Sequence, residues 1–191
     1  EVGYNIPAKI GMDINDVQTP SLIIDFNLFE YNILKMKEFI LNNNVKLRPH
    51  AKMHKSVDVA NYQINFGGAH GICCQKVSEA EVFARSGIKD ILITNQITDI
   101  LKIQRLTKIA ANNCTLSCCV DSIENIINIQ NAAFQNNSII NVYIEYDCGA
   151  KRCGLDSFKE IQSLLDLIEK MSNIKFVGFQ AYNGSIQHIE D

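Results

Sequence analysis

Short β-branched runs alternate with stretches of helical spacing along the whole chain, and nothing between them reads as a hairpin. Strands are expected near Lys46–Ala51, His70–Cys74, Asp90–Asn95, Leu116–Asp121, Val142–Asp147 and Phe176–Tyr182. A strand-like Ser21–Ile24 precedes a helix over Leu28–Leu41. Helix punctuation fills the gaps. Ser78-Glu79-Ala80-Glu81 has capping-box spacing, with Gly87 placed to end that helix. Ser157-Phe158-Lys159-Glu160 repeats the pattern and opens a helix through Leu164, Leu165, Ile168 and Met171, while Asp121-Ser122 starts a third. The one Asn-Gly pair, Asn183-Gly184, has no strand after it. Strands without hairpins must run parallel, joined by right-handed helical crossovers, which is an α/β fold.

At 191 residues and 21.5 kDa the chain has room for one domain, two at most. Apolar residues make up 47% and charged residues 20%, with mean hydropathy near zero, so disordered and coiled-coil readings fall away. A net charge of −3 gives no footprint for a nucleic-acid backbone, and no apolar run is long enough for a bilayer. Neither nucleic acid nor membrane is therefore expected as a partner. The start, Glu1-Val2-Gly3-Tyr4-Asn5, lacks the basic and apolar parts of a secretory signal. Seven cysteines, an odd number with the adjacent pairs Cys73-Cys74 and Cys118-Cys119, point to reduced thiols in a cytoplasmic setting. Neither Cys114-x3-Cys118 nor Cys148-x4-Cys153 has a second pair at zinc-ribbon spacing.

Open sheet or barrel is the next choice. A dinucleotide fold needs a glycine fingerprint after its first strand, and the segment there is Arg48-Pro49-His50-Ala51-Lys52-Met53-His54. In that segment Arg48, His50, Lys52 and His54 alternate with Leu47, Pro49, Ala51 and Met53, so a strand would put all four on one face. Asn141, Tyr143, Glu145 and Asp147 alternate likewise with Val142, Ile144 and Tyr146, and Gln180 and Tyr182 oppose Phe179 and Ala181. Helix-covered parallel strands are normally apolar on both faces. Polar side chains on the C-terminal halves of several strands are how a (β/α)8 barrel builds a site, although edge strands with one wet face give the same pattern. A closed barrel takes about 250 residues. About six barrel strands are read here, so the chain is expected to be the N-terminal part of a larger protein or of a truncated gene. By itself it is not expected to close its core or turn over substrate.

Lys52 ends the first barrel strand between His50 and His54. A partly desolvated lysine near other cations has a lowered pKa, and its neutral amine attacks carbonyls. From spacing alone, Lys52 reads either as such a nucleophile or as a solvated lysine. His50 and His54, four apart on a strand, would stand about 13 Å apart at ~3.3 Å per residue, too far to share a metal ion. His70 and His188 are isolated.

The run Arg48–Ser56 resembles the cofactor-lysine segment of the D-threonine aldolase and D-serine dehydratase family, fold-type III pyridoxal-phosphate enzymes built on the alanine racemase barrel. Four further stretches resemble it in the same order: Asp16–Pro20, Gly71–Glu81, Asp147–Gly154 and Gly178–Gly184. Lys52–Val59 and Gly11-Met12-Asp13 look most like the 3-hydroxy-D-aspartate aldolase branch.

The resemblance implies a TIM-type barrel of the alanine racemase N-terminal kind, here incomplete: residues 27–191 as the pyridoxal-phosphate-binding part, and 1–26 as a lead whose strand pairs with a C-terminal β-domain. It implies a covalent bond from Lys52 to pyridoxal 5′-phosphate, Arg152 near the cofactor's phenolic oxygen and Tyr182 against its pyridine ring. Gln75, Asn95 and Gln180 are implied as supporting donors. A surface arginine and a core tyrosine remain the plain alternatives for Arg152 and Tyr182. The implied reaction cleaves a D-configured β-hydroxy amino acid, such as 3-hydroxy-D-aspartate or D-threonine, to glycine and an aldehyde. A divalent metal (Mg, Mn or Zn) assists in the family, with ligands in the C-terminal part, so none is assigned in this chain. D-serine dehydratase-like β-elimination, a noncatalytic pyridoxal-phosphate barrel and an inactive remnant are the alternatives. A homodimer is expected for the full-length form.

Overall fold

Five parallel strands stand side by side in the order in which they occur along the chain: β1 (Ile72–Cys74), β2 (Asp90–Gln96), β3 (Thr115–Val120), β4 (Ile140–Tyr146) and β5 (Ile174–Ala181). They belong to a computed structural model that describes residues 1–190; the last residue of the expected barrel part, Asp191, lies outside the described residues. Helices α1 (Phe26–Asn42), α2 (Val57–Asn65), α3 (Val77–Arg85), α4 (Ile100–Ala111), α5 (Ile123–Gln135) and α6 (Phe158–Ile168) supply the lead and the crossovers. Because the sheet always grows in one direction, right-handed crossovers put α3 to α6 on one face, as in a barrel. A doubly wound sheet would reverse its strand order partway. The architecture is thus the expected parallel α/β arrangement, an incomplete TIM-like barrel.

The two faces of the sheet divide by chemistry. Ile72, Ile91, Ile93, Leu116, Val120, Ile140, Val142 and Ile144 point outward and are buried with Phe83, Leu106, Ile126, Ile129 and Leu164 of the helices. Alternate positions point inward: Asp90, Thr94, Ser117, Tyr143, Glu145 and Gln180. Two irregularities adjust this alternation. Between β2 and β3 the register slips between Ile93 and Gln96. Between β4 and β5, Val142 pairs with Phe176 but Tyr143 with Gly178, so Val177 is an extra residue. Gly178, at φ +149°, absorbs the distortion, and Phe176 and Phe179 meet on the same side with ring centroids 5.3 Å apart.

Helix ends follow local chemistry. Ser122 and Ser157 cap α5 and α6, accepting from the N–H groups of Asn125 and Glu160, and Gly87 ends α3 at φ +97°. The expected box at Ser78–Glu81 is corrected by two residues. Glu79 accepts from the N–H groups of Gln75 and Lys76, while Glu81 turns outward to Arg85 and Arg105.

One expected strand is also corrected. Lys46–Ala51 lies beside β1 but makes only one bridge, His50 with Cys73, with Cys73 N–H donating to Pro49 O and His70 N–H to Leu47 O, each at 2.8 Å. Pro49 has no N–H to extend the ladder. Ser21–Ile24 is irregular and pairs with nothing among the described residues, leaving Leu22 99% exposed.

Candidate active site

Pro49 also decides where Lys52 goes. With the ladder interrupted, the chain tightens into a single 3-10 turn, Ala51–Met53, pinned by the buried Ala51 methyl. His50 caps this turn: its Nδ1 accepts the Lys52 backbone N–H at 3.3 Å. Of the shared face expected for residues 48, 50, 52 and 54, the first three stay on the inner side and His54 leaves it. Arg48 forks onto Asp90 and donates to the Tyr143 hydroxyl. His50 and Lys52 enter a common cleft. His54, past the turn, is packed near Gln63 of α2 and accepts the Ser56 N–H at 3.0 Å.

The cleft, about 70 Å³, is lined by His50, Lys52, Gln75, Thr94, Glu145, Arg152, Gln180 and Tyr182. Five of the six residues singled out from the sequence are in it. The sixth, Asn95, is turned to the outer side of β2, where its amide donates to the Gln75 carbonyl at 2.8 Å and lines a neighbouring cleft with Lys76 and Lys102. Strand alternation puts Thr94 inward and Asn95 outward, with Gln96 inward again on Glu145.

Arg152 is delivered by a folded loop. Asp147 Oδ1 accepts the N–H groups of Gly149 and Lys151, the N–H of Leu155 returns to Glu145 O, and Gly154 N–H binds Asp121 Oδ2. These backbone donors hold the Asp147 carboxyl below the usual carboxylate range. Asp147, expected on the inward face, thus organises the loop instead. Gly154 sits at φ +96°, pressed against the Asp147 amide and the Glu145 carbonyl. The loop leaves the Arg152 guanidinium 5.4 Å from the Tyr182 ring centroid and 3.8 Å from Glu145. Glu145 is only 4% exposed and takes a 2.6 Å hydrogen bond from Gln96.

His50 Nε2 lies 3.0 Å from Thr94 Oγ1, whose own hydroxyl donates to Cys74 O. Burial, reinforced by the Lys52 charge, lowers the pKa of His50. Nearby, burial opposes ionisation of Glu79, but Lys55 and the Gln75 and Lys76 amides outweigh it and hold the carboxyl below its ordinary value. Thr94 is not singled out by the sequence, and Glu145 is placed by it on the polar face but given no role. A lone glutamate within the β-branched run 140–146 was the available signal.

The donor set fits pyridoxal phosphate. Among the described residues the Lys52 amine has no hydrogen-bond or ion-pair partner, and across the cleft stand an aromatic face and a fixed cation. Those are the groups an aldehyde, a pyridine ring and a phenolic oxygen would meet.

The family model for the alanine racemase N-terminal domain matches residues 24–190. The chain belongs to this family. It is 44% identical over 190 residues to 3-hydroxy-D-aspartate aldolase of Paracoccus denitrificans (strain Pd 1222), covering 100% of this chain and 49% of that protein. It is 39% identical to D-threonine aldolase of an Arthrobacter species, covering 95% and 48%. A crystal structure of D-threonine aldolase from Filomicrobium marinum superposes with a TM-score of 0.92 at 37% identity, over 96% of this chain and 49% of that one. The chain spans about half the length of the curated relatives it matches.

Proposed function

We propose that this chain is the pyridoxal-phosphate-binding part of an aldolase that cleaves D-configured β-hydroxy amino acids, 3-hydroxy-D-aspartate or D-threonine, to glycine and an aldehyde. One observation carries the reading: Lys52, Arg152 and Tyr182, far apart in sequence, converge on a single cleft at the C-terminal ends of the strands. Similarity to proteins named as aldolases of these substrates supports the chemistry.

Bound pyridoxal phosphate supplies an electron sink for the carbanion left when the Cα–Cβ bond breaks. The chain's residues do the rest. The Lys52 amine is the group that would hold the cofactor, through its aldehyde carbon. Arg152, permanently charged and steadied by Glu145 and the Tyr182 ring, stands where it would keep a phenolic oxygen ionised. The Tyr182 face at the cleft wall would hold the pyridine ring in a fixed orientation. Gln75 and Gln180 offer amide groups at the cleft wall, and Asn95 acts from behind by holding the Gln75 carbonyl. For the metal implied by the resemblance, no group of three or more His, Cys, Asp or Glu is assembled among the described residues, and no step is derived through it.

In this reading residues 1–26 are an N-terminal segment whose strand pairs with a C-terminal β-domain, the full polypeptide works as a homodimer, and seven free thiols suit a cytoplasmic setting. The test is product analysis of the natural gene product with pyridoxal phosphate, a divalent metal and 3-hydroxy-D-aspartate. Glycine and glyoxylate are expected. Ammonia and a keto acid would replace this reading by β-elimination, and no product at all would leave a noncatalytic barrel.

A further inference from the structure

His50 makes two directed hydrogen bonds whose donors can be assigned. The Lys52 backbone N–H points at Nδ1 (3.3 Å), so Nδ1 must be the bare, accepting nitrogen. Thr94 spends its hydroxyl proton on Cys74 O (3.3 Å), which leaves Oγ1 as an acceptor for Nε2–H at 3.0 Å. The chain of donors therefore runs from the Lys52 amide through the imidazole and Thr94 to the Cys74 carbonyl, and it closes with one tautomer only. A protonated ring would carry N–H at both nitrogens and face the Lys52 N–H donor with another.

We propose that His50 is a positioning residue that presents Lys52 to the cleft only while its ring is the neutral Nε2–H tautomer, so that protonation at Nδ1 uncaps the turn and releases Lys52. An uncapped helical turn is weakened, and this one is a single turn bearing the amine at its second position. The charged surroundings favour the neutral ring. Burial and the cations Lys52 and Lys55 oppose protonation, against Glu79 on α3 and the Gln75 side chain, which favour it. Across the cleft Glu145 is paired with Arg152. The flanking Cys73 and Cys74 thiols are themselves held protonated by burial.

The cofactor role of Lys52 in this inference rests on the function proposed above, and the capping does not. The natural gene product is therefore followed by two readouts across pH 8 to 5: NMR of ¹⁵N-labelled histidine and lysine, and visible absorbance of added pyridoxal phosphate. His50 is expected as the Nε2–H tautomer at neutral pH, with the Lys52 amide signal shifting as His50 titrates and cofactor occupancy lost with the same midpoint. His50→Asn keeps an accepting oxygen that does not titrate, so the acid step in the Lys52 amide is expected to vanish. His50→Leu is expected to lose the capped amide signal at every pH. An Nδ1–H tautomer, a Lys52 amide indifferent to His50 titration, or an acid step retained in His50→Asn would overturn the inference. A normal amide step with no cofactor bound at any pH supports the capping and overturns only the pyridoxal-phosphate reading.

Discussion

The Arg48 guanidinium meets the Asp90 carboxylate in a fork, Nε to Oδ1 at 2.5 Å and Nη2 to Oδ2 at 3.1 Å. Pro49 leaves the segment before Lys52 with little ladder, so this pair ties it to β2 in place of strand hydrogen bonds. Gly71 is required beside it, because a Cβ there would overlap the Asp90 carboxylate and carbonyl. Arg48→Met leaves the largely buried Asp90 carboxylate only His70, 3.5 Å away, and is expected to cost about 2 kcal/mol in urea unfolding. Arg48→Lys should recover only part of that, since an ammonium cannot fork.

Gly154→Ala tests the loop that delivers Arg152. An alanine Cβ would lie 2.9 Å from the Asp147 amide nitrogen and 3.0 Å from the Glu145 carbonyl oxygen, at a φ of +96°. The expected loss is about 1–3 kcal/mol with weaker retention of pyridoxal phosphate, read by thermal melting and dialysis.

Thiol reactivity separates the cysteines. Burial pushes Cys73 and Cys114 up to about 11, and Cys74 and Cys118 up to about 12, with Cys119 raised further still. Cys148 and Cys153 flank Arg152 on the more open loop. A disulfide reagent at pH 8 should therefore modify these two quickly and the other five only on unfolding, as counted by mass spectrometry.

Acid stability has a fixed sign. Burial lowers the pKa of both His50 and His54 in the folded chain, so the unfolded chain binds more protons just below the ordinary histidine value. The stabilisation is complete above that value and is lost as pH falls through the lowered ones. Glu79, also lowered, adds a second loss at more acid pH, beginning below the ordinary glutamate value. The urea midpoint is expected to drop between pH 7.5 and 5.5, with a smaller drop in His50→Asn/His54→Asn.

Much of this architecture was legible in the residues. The parallel order followed from strand runs separated by helix caps such as Ser122 and Ser157, and the polar inner face from alternation at Tyr143 and Glu145. Hidden from it were features set by backbone deviations from a two-residue period. Pro49 ended a strand early and turned His54 away from Lys52, and the extra residue Val177 reset β5 so that Phe176 and Phe179 meet. Ser21–Ile24 has strand composition, but its backbone groups meet no partner among the described residues.

The role of Lys52 is tested most directly by borohydride reduction of the natural gene product loaded with pyridoxal phosphate, followed by peptide mass mapping. The pyridoxyl label is expected on the peptide bearing Lys52 and is expected to be absent in Lys52→Ala, which should still fold because this side chain is exposed. A label on another lysine, or none on the wild-type protein, would contradict the assignment of this cleft.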